Sequence, residues 1–310
     1  MIPQMNLNAC YSSPETRHGF TLIELSVVLV IIGLIIGGVL VGRDLINAAA
    51  VRAQIKQIEQ YNAAVNTFRS KYGYLPGDIP DPAASGFGFK ARGPYAGEGD
   101  GNGVIEGNYD DHVDYNWGNQ EGIGETVLFW ADLSAANLIE GNFTAASATS
   151  YLPNITASAL NNYFPVAKIG QGNFIYVWSG GWDMTAPGIG DGNNYYGMSA
   201  VSAVGSPCDT GCMHSTPGLS VTQAYMIDSK MDDGLPQTGR VTAQYLNWSP
   251  YWATGPAAAG PTLTGPYTTA TSSSSTSCFD NGSVGGATQQ YSTQVNGGNG
   301  MNCALSFRFQ

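Results

Sequence analysis

Two hydrophobic patterns follow each other without a break near the start of the chain. Almost every residue from 20 to 42 is apolar, and Glu24 carries the only charge in that run. Over residues 51–72, apolar side chains recur every three or four positions, as on one face of an amphipathic helix. Gly73 then supplies a stop signal. Together the patterns predict one helix over 21–72, whose apolar part is long enough to span a bilayer.

Beyond this helix the patterns are shorter. They predict helices at 121–140 and 220–234 and strands at 173–180, 194–201 and 303–309. A long helix followed by strands favours an α+β head, in which an antiparallel sheet packs on the helix. Residues 255–302 are rich in Gly, Ser and Thr and are expected to form exposed loops.

The overall charge narrows the range of partners. The 310 residues include only 12 Lys and Arg, without a basic block, and the formal net charge is −11. Nucleic acid is therefore not expected as a main partner. The acidic balance instead suits an exported surface or a divalent-cation site.

Five cysteines indicate an exported chain with disulfides. Cys10 lies upstream of the apolar run, in a segment that we expect to be removed. The other four are predicted to form two disulfides in an oxidising compartment: Cys208, Cys212, Cys278 and Cys303.

The spacing leaves the pairing open. The run "CDTGCMH" places Cys208 and Cys212 near His214, which is compatible with a zinc site, but no second ligand cluster is evident. A small disulfide loop is therefore preferred there, with Cys278 joined to Cys303. The two other connectivities stay open.

The run "RHGFTLIEL" (17–25), followed by the apolar helix, resembles the class III signal of type IV prepilins and type II secretion pseudopilins. This resemblance implies that a prepilin peptidase cleaves after Gly19 and methylates the new N-terminal residue, Phe20. Residues 1–19 would then be a leader, with Met1 or Met5 as its start. The proline that many pilins carry within this helix is absent.

The resemblance also implies an organisation and a location. Residues 20–72 would be the long helix, with 20–42 transmembrane and 43–72 amphipathic, and residues 73–310 the head. The precursor would sit in the inner membrane with its leader cytoplasmic and its head exported. An inner-membrane assembly platform would then add it to identical or related subunits, in a periplasmic pseudopilus or a cell-surface pilus.

Glu24 is the unusual residue of the apolar run, because a carboxylate is unfavourable in lipid. Within the resemblance, the free amine of Phe20 on a neighbouring subunit would pair with it in the filament. The alternative is that Glu24 lies near the membrane interface and stays hydrated without a partner.

The run "GEGDGNGVIEG" (97–107) has features of a calcium loop, in which oxygen ligands alternate along the chain. The twelfth position from Glu98 is Tyr109 rather than the expected Glu, so a solvated turn without metal stays open. The candidate ligands are Glu98, Asp100, Asn102, Val104, Glu106 and Asp110. A second acidic run, at 228–233, is expected to cap or solvate a helix end.

These features support three functions in decreasing order: a filament subunit, a minor tip subunit with an adhesive head, and a membrane-anchored exported enzyme. Catalysis has little support, because the only histidines are His18, His112 and His214, and no hydrolase or phosphate-loop motif is found. The many Trp and Tyr residues are expected mainly in the core, rather than in a sugar-binding groove. Nothing in the sequence separates a pilus from a secretion pseudopilus or a competence system.

Overall fold

A computed structural model describes most of the chain. The described residues are 19, 21–94, 97–110, 113–117, 122–146, 154–179, 192–205, 212–253, 259–261 and 272–309. The chain divides into two compact units, residues 1–47 and residues 48–310.

The predicted long helix is confirmed. Helix α1 (Leu22–Tyr72) runs for 51 residues and ends where the sequence predicts. Gly73 follows it with φ +82°, and its N–H donates to the Arg69 carbonyl at 2.8 Å. A left-handed glycine of this kind satisfies a free carbonyl at the helix end.

The other elements are short. The further helices are α2 (Ala83–Gly86), α3 (Glu125–Ala135) and α4 (Val221–Met231). The strands are β1 (Gly107–Asp110), β2 (Val113–Trp117), β3 (Asn154–Thr156), β4 (Asn173–Ser179), β5 (Asn194–Gly205), β6 (Met213–Thr216), β7 (Val241–Thr242), β8 (Gln244–Asn247), β9 (Ser249–Trp252), β10 (Ala259–Pro261), β11 (Phe279–Asp280), β12 (Gln290–Tyr291) and β13 (Leu305–Arg308). The mixture confirms the α+β class.

The predicted helix at 121–140 is too long. Helix α3 starts only at Glu125, because Gly124 before it has φ +75° and lies against the carbonyl of Gly97, where a Cβ would sit 2.2 Å away. Asn137, with φ +55°, follows the C-terminal end. The predicted strands correspond to β4, β5 and β13, and the predicted helix at 220–234 is α4. A reciprocal capping box between Ser220 and Gln223 begins α4.

Strand β5 organises a six-stranded sheet, because four other strands pair with it in antiparallel register. β4 and β13 pair with its first half, and β6 and β3 pair with its second half. β7 extends the sheet by pairing with β13. Strands β8, β9 and β10 form a separate three-stranded sheet, while β1–β2 and β11–β12 are isolated pairs.

The second half of α1 packs into the head through both apolar and amide side chains. Tyr61 contacts Trp130 of α3 and Tyr196 of β5, with ring centroids 4.9 and 6.1 Å apart. Gln57 accepts the Lys168 N–H at 2.9 Å and donates to the Val166 carbonyl at 2.9 Å. Gln57 therefore hydrogen-bonds an irregular segment in the way that a neighbouring strand would.

The Cys278–Cys303 pairing is confirmed. These two cysteines are fully buried, with their Cα atoms 4.9 Å apart, and they join the residue before β11 to the segment before β13. Cys212 is also in a disulfide. Cys208 lies outside the described residues, so its pairing stays a prediction.

The expectation of exposed loops over 255–302 is only partly correct. The side chains of Phe279, Tyr291 and Ser292 are buried. Asp280 explains why polar residues are found inside: its carboxylate accepts hydrogen bonds from Ser273 Oγ at 2.9 Å and Gln294 Nε2 at 2.9 Å, and from the Ser292 hydroxyl. Composition alone does not reveal this network.

The Cys278–Cys303 bond should stabilise the head. We expect the double variant Cys278→Ala/Cys303→Ala to lose about 2–4 kcal/mol of unfolding free energy, because the crosslink restricts the unfolded chain. Denaturant unfolding of the full chain in detergent, followed by circular dichroism, measures this loss. An unchanged unfolding midpoint in the double variant, with an unchanged slope, would show that the bond adds no stability.

Candidate functional site

The beginning of α1 contains a reciprocal hydrogen-bond pair. The Glu24 carboxylate Oε2 accepts from the Thr21 N–H at 2.8 Å and from the Thr21 hydroxyl at 2.9 Å. In return, the Glu24 N–H donates to Thr21 Oγ1 at 3.3 Å. This is a capping box, in which the side chains of the cap residue and of the third helical residue satisfy each other's free N–H groups.

Sequence reasoning missed this contact, although the T-x-x-E spacing signals it. Gly19 and Thr21 are exposed, and Phe20, the predicted methylation site, lies outside the described residues. Glu24 therefore has a local structural role, and the assembly role that the resemblance implies stays a prediction. An experiment on Glu24 must separate the two roles.

The first part of α1 exposes its apolar side chains on all sides. Exposed residues include Leu22, Val28, Ile35 and Val41. Within the described part of the chain, α1 is also the one helix that is long and apolar enough to cross a membrane. Exposed apolar surface of this extent marks a membrane or protein contact rather than a surface left in water.

A second candidate site is built around Glu125, the first residue of α3. Its carboxylate is fully buried and accepts N–H groups from Gly99 at 3.0 Å, Asp100 at 3.3 Å and Glu106 at 2.9 Å. The loop at 97–106 thus folds around this side chain.

Asp78 binds two further N–H groups of the same loop. It accepts the N–H groups of Gly101 at 2.7 Å and Gly103 at 2.9 Å. The preceding residue, Gly77, is held by Asp132 of α3, whose carboxylate also pairs with Arg92 at 2.5 Å. Three carboxylate oxygens lie within 4.8 Å of one another, one each from Asp78, Asp100 and Glu125.

The structure brings together only some of the predicted calcium ligands. Asp100 lies in the cluster, and the amide of Asn102 donates to Asp100 at 3.0 Å and to Glu106 at 3.2 Å. Glu98 is buried against Gly93 and does not belong to the cluster of Asp78, Asp100 and Glu125.

Val104 and Asp110 are the remaining predicted calcium ligands. The N–H of Val104 donates to Asn102 Oδ1 at 2.7 Å, and the side chain of Asp110 lies outside the described residues. Asp78 and Glu125 were not predicted, because they come from distant parts of the chain and belong to no local spacing.

The closely placed carboxylates disfavour full ionisation. Burial, and then the charges of Asp78, Asp100 and Glu106, raise the pKa of Glu125 well above its ordinary value. Burial also raises the pKa of Asp78 to about 7, although backbone N–H groups partly oppose that shift. Protons or a hard cation with oxygen ligands would relieve the repulsion.

The acidic run at 228–233 has a different arrangement. Asp228 accepts the Tyr291 hydroxyl at 2.8 Å and the Gly234 N–H at 3.1 Å, and burial raises its pKa to about 7. Asp232 accepts the Val241 N–H at 3.1 Å, and Asp233 accepts the Leu235 N–H at 2.8 Å. These carboxylates hold the turn that follows α4, as expected for a helix end.

The calcium site stays a prediction, with a direct test. Millimolar Ca²⁺ should raise the melting temperature of the full chain above its value in chelator, because an ion that binds only the folded state stabilises it by about 2.7 kcal/mol at 100 times its dissociation constant. Asp100→Ala should abolish that difference. The control Asp233→Asn, in the second cluster, should retain it. Equal melting with calcium and with chelator in the unsubstituted chain would exclude the site.

Comparisons with known proteins give one match. A family model described as the prokaryotic N-terminal methylation motif matches residues 16–40. No curated protein and no solved structure matches the chain. The match covers Gly19, Phe20, the capping box and most of the exposed apolar part of α1. Residues 16–40 are therefore the class III prepilin signal of type IV pilins and pseudopilins, which this chain joins to an α+β head.

Proposed function

We propose that the chain is a structural subunit of a type IV pilus-like or type II secretion pseudopilus filament, which polymerises through α1. The observation that carries this proposal is that the prepilin signal, residues 16–40, includes the beginning of α1, where the apolar side chains are exposed. A signal of this class implies processing by a prepilin peptidase. The exposed apolar surface then has two successive partners, lipid before assembly and neighbouring helices afterwards.

In this proposal, cleavage after Gly19 creates the chemistry that assembly uses. It releases the amine of Phe20, which is then methylated and keeps its positive charge. Glu24 of a neighbouring subunit accepts this cation in the dry filament core, where an unpaired carboxylate is unfavourable. The charge pair thereby selects one axial position of the incoming helix.

The capping box is compatible with this pairing. A carboxylate has two oxygens with several acceptor positions. One oxygen of Glu24 already accepts from Thr21 in the single chain. A neighbour's amine can therefore bind the same carboxylate while the beginning of the helix stays capped.

The proposal assigns an exported structural role and no catalytic step to the head. The precursor is anchored in the inner membrane, and an assembly platform there moves it into the filament. This assignment is supported by the signal and by the absence from the sequence of the hydrolase and phosphate-binding motifs.

Processing is tested at Gly19. We expect Gly19→Val to leave a full-length, membrane-held precursor, because a branched side chain would replace the glycine that the peptidase recognises. The matched control is Gly33→Val, since no atom lies within 4 Å of an added Cβ at either glycine. Intact-mass measurement distinguishes the two forms. Normal processing of Gly19→Val would remove the basis of the proposal.

Assembly is tested by separating the charge of Glu24 from its capping role. Glu24→Gln retains an oxygen that can accept from Thr21 but has no charge. We expect its filament incorporation to fall more than about tenfold at normal membrane abundance, because the neighbour's buried amine is left unpaired. Sheared filaments and membranes, compared by immunoblot, give both quantities.

Thr21→Val is the matched control. It removes the capping hydroxyl but leaves the Glu24 charge, so incorporation should stay close to normal. The opposite pattern, with Glu24→Gln assembling normally and Thr21→Val failing, would assign Glu24 to helix capping alone. A membrane-anchored enzyme would be insensitive to both substitutions.

A further inference from the structure

Trp248 lies at the bend between β8 and β9 with φ +70°. The described part of the chain contains four other non-glycine residues with positive φ: Asn137, Gln171, Ser283 and Asn296. Trp248 is the one bulky aromatic side chain among these five. Its Cβ makes this conformation unfavourable, and glycine or asparagine would adopt it more readily. Such a residue is maintained only where its surroundings hold it.

Strand β6 holds Trp248 at two points. The Trp248 backbone N–H donates to the Met213 carbonyl at 2.9 Å, and its indole N–H donates to His214 Nδ1 at 3.2 Å. The other ring nitrogen of His214 lies 3.2 Å from the Gly205 carbonyl at the end of β5. Because an indole N–H can only donate, Nδ1 is the acceptor and Nε2 carries the proton.

The ring held in this way is not a core residue. Trp248 is 48% exposed. Three other tryptophans, Trp130, Trp178 and Trp252, are buried, as expected from the sequence. The strained backbone therefore positions an aromatic surface that faces water. An unfavourable conformation that presents an exposed, orientated side chain is typical of a binding position.

The described strands around Trp248 carry polar side chains and no charged ones. The described segments that form this surface, 200–205, 212–219 and 244–253, contain no Asp, Glu, Lys or Arg. Asn247 and Ser249 flank Trp248 in sequence. Ser202 and Thr216 are exposed on the neighbouring strands, and the Ser202 hydroxyl donates to the His214 carbonyl at 3.1 Å.

We propose that Trp248 and its polar rim form a binding site for a neutral oligosaccharide. A pyranose ring presents an apolar C–H face, which stacks on an aromatic ring, and a rim of hydroxyls, which hydrogen-bond hydroxyl and amide side chains. This surface offers both kinds of contact. A charged glycan, a nucleic acid or an anionic lipid would find no opposite charge in these segments. The site is independent of filament assembly and adds a binding function to the head.

Calorimetric titration of the full chain tests this site. The chain is kept in a detergent without sugar headgroups, and the probes are neutral oligosaccharides of glucose, galactose, mannose and N-acetylglucosamine, with a sialylated oligosaccharide as the charged comparison. We expect saturable binding of at least one neutral probe. Absence of saturable binding to every neutral probe, or binding of the sialylated probe alone, would overturn the proposal.

Substitutions locate the binding. Trp248→Gly suits the positive φ and removes the ring, so affinity should fall more than about tenfold. Trp248→Phe retains a stacking ring without the bond to His214 and should bind with intermediate affinity. Tyr225→Ala, which removes a 44% exposed aromatic residue on α4, should bind normally.

Circular dichroism verifies that each variant is folded. If Trp248→Gly does not fold, the affinity of Trp248→Phe decides whether the ring is part of the site. Unchanged affinity in Trp248→Gly, or in Trp248→Phe as the remaining folded variant, would contradict the site. A loss in Tyr225→Ala equal to that in the Trp248 variants would do the same.

Discussion

Any segment inside lipid must satisfy its own backbone hydrogen bonds, and an α-helix does so without help from its surroundings. Helix α1 keeps this pattern from Leu22 to Tyr72, so the side chains alone distinguish its parts. Apolar side chains are exposed in the first part, while Val51, Ile58 and Phe68 are buried in the head. The same backbone pattern thus suits both a membrane-spanning segment and a segment packed in a folded domain, and the proposed assembly of the chain depends on this helix.

The loops of the head satisfy their backbone hydrogen bonds in a different way from a helix. These loops contain backbone groups that no strand pairs, and buried side chains supply hydrogen-bond partners for them. Gln57 does this for residues 166–168, and Asp78 and Glu125 do it for the loop at 97–106. Such side chains determine loop shape as much as apolar packing does. They also explain how a chain with many glycines and few charges forms a specific structure.

The sequence predicted the elements that have strong local signals. Helix α1 has a long periodic pattern with a clear stop, and β4, β5 and β13 are apolar runs bounded by polar or glycine residues. The two-residue strands β7, β11 and β12 have no detectable period, because their pairing depends on distant residues. Of the three clustered carboxylates only Asp100 was predicted, for the same reason: the 97–107 loop carries a local pattern, while Asp78 and Glu125 join it only through the fold. The capping box, by contrast, has a local signal, the T-x-x-E spacing of Thr21 and Glu24.

The position of β13 has a consequence for biogenesis. This strand lies inside the central sheet, between β5 and β7, although it is the last strand in the chain. In the proposed export of the head, the sheet therefore stays incomplete until residue 308 has crossed the membrane. Such an export would involve an unfinished sheet, whose open β5 edge must be kept from pairing with other chains. An α1 anchored as proposed would hold each such intermediate at the membrane surface during that interval.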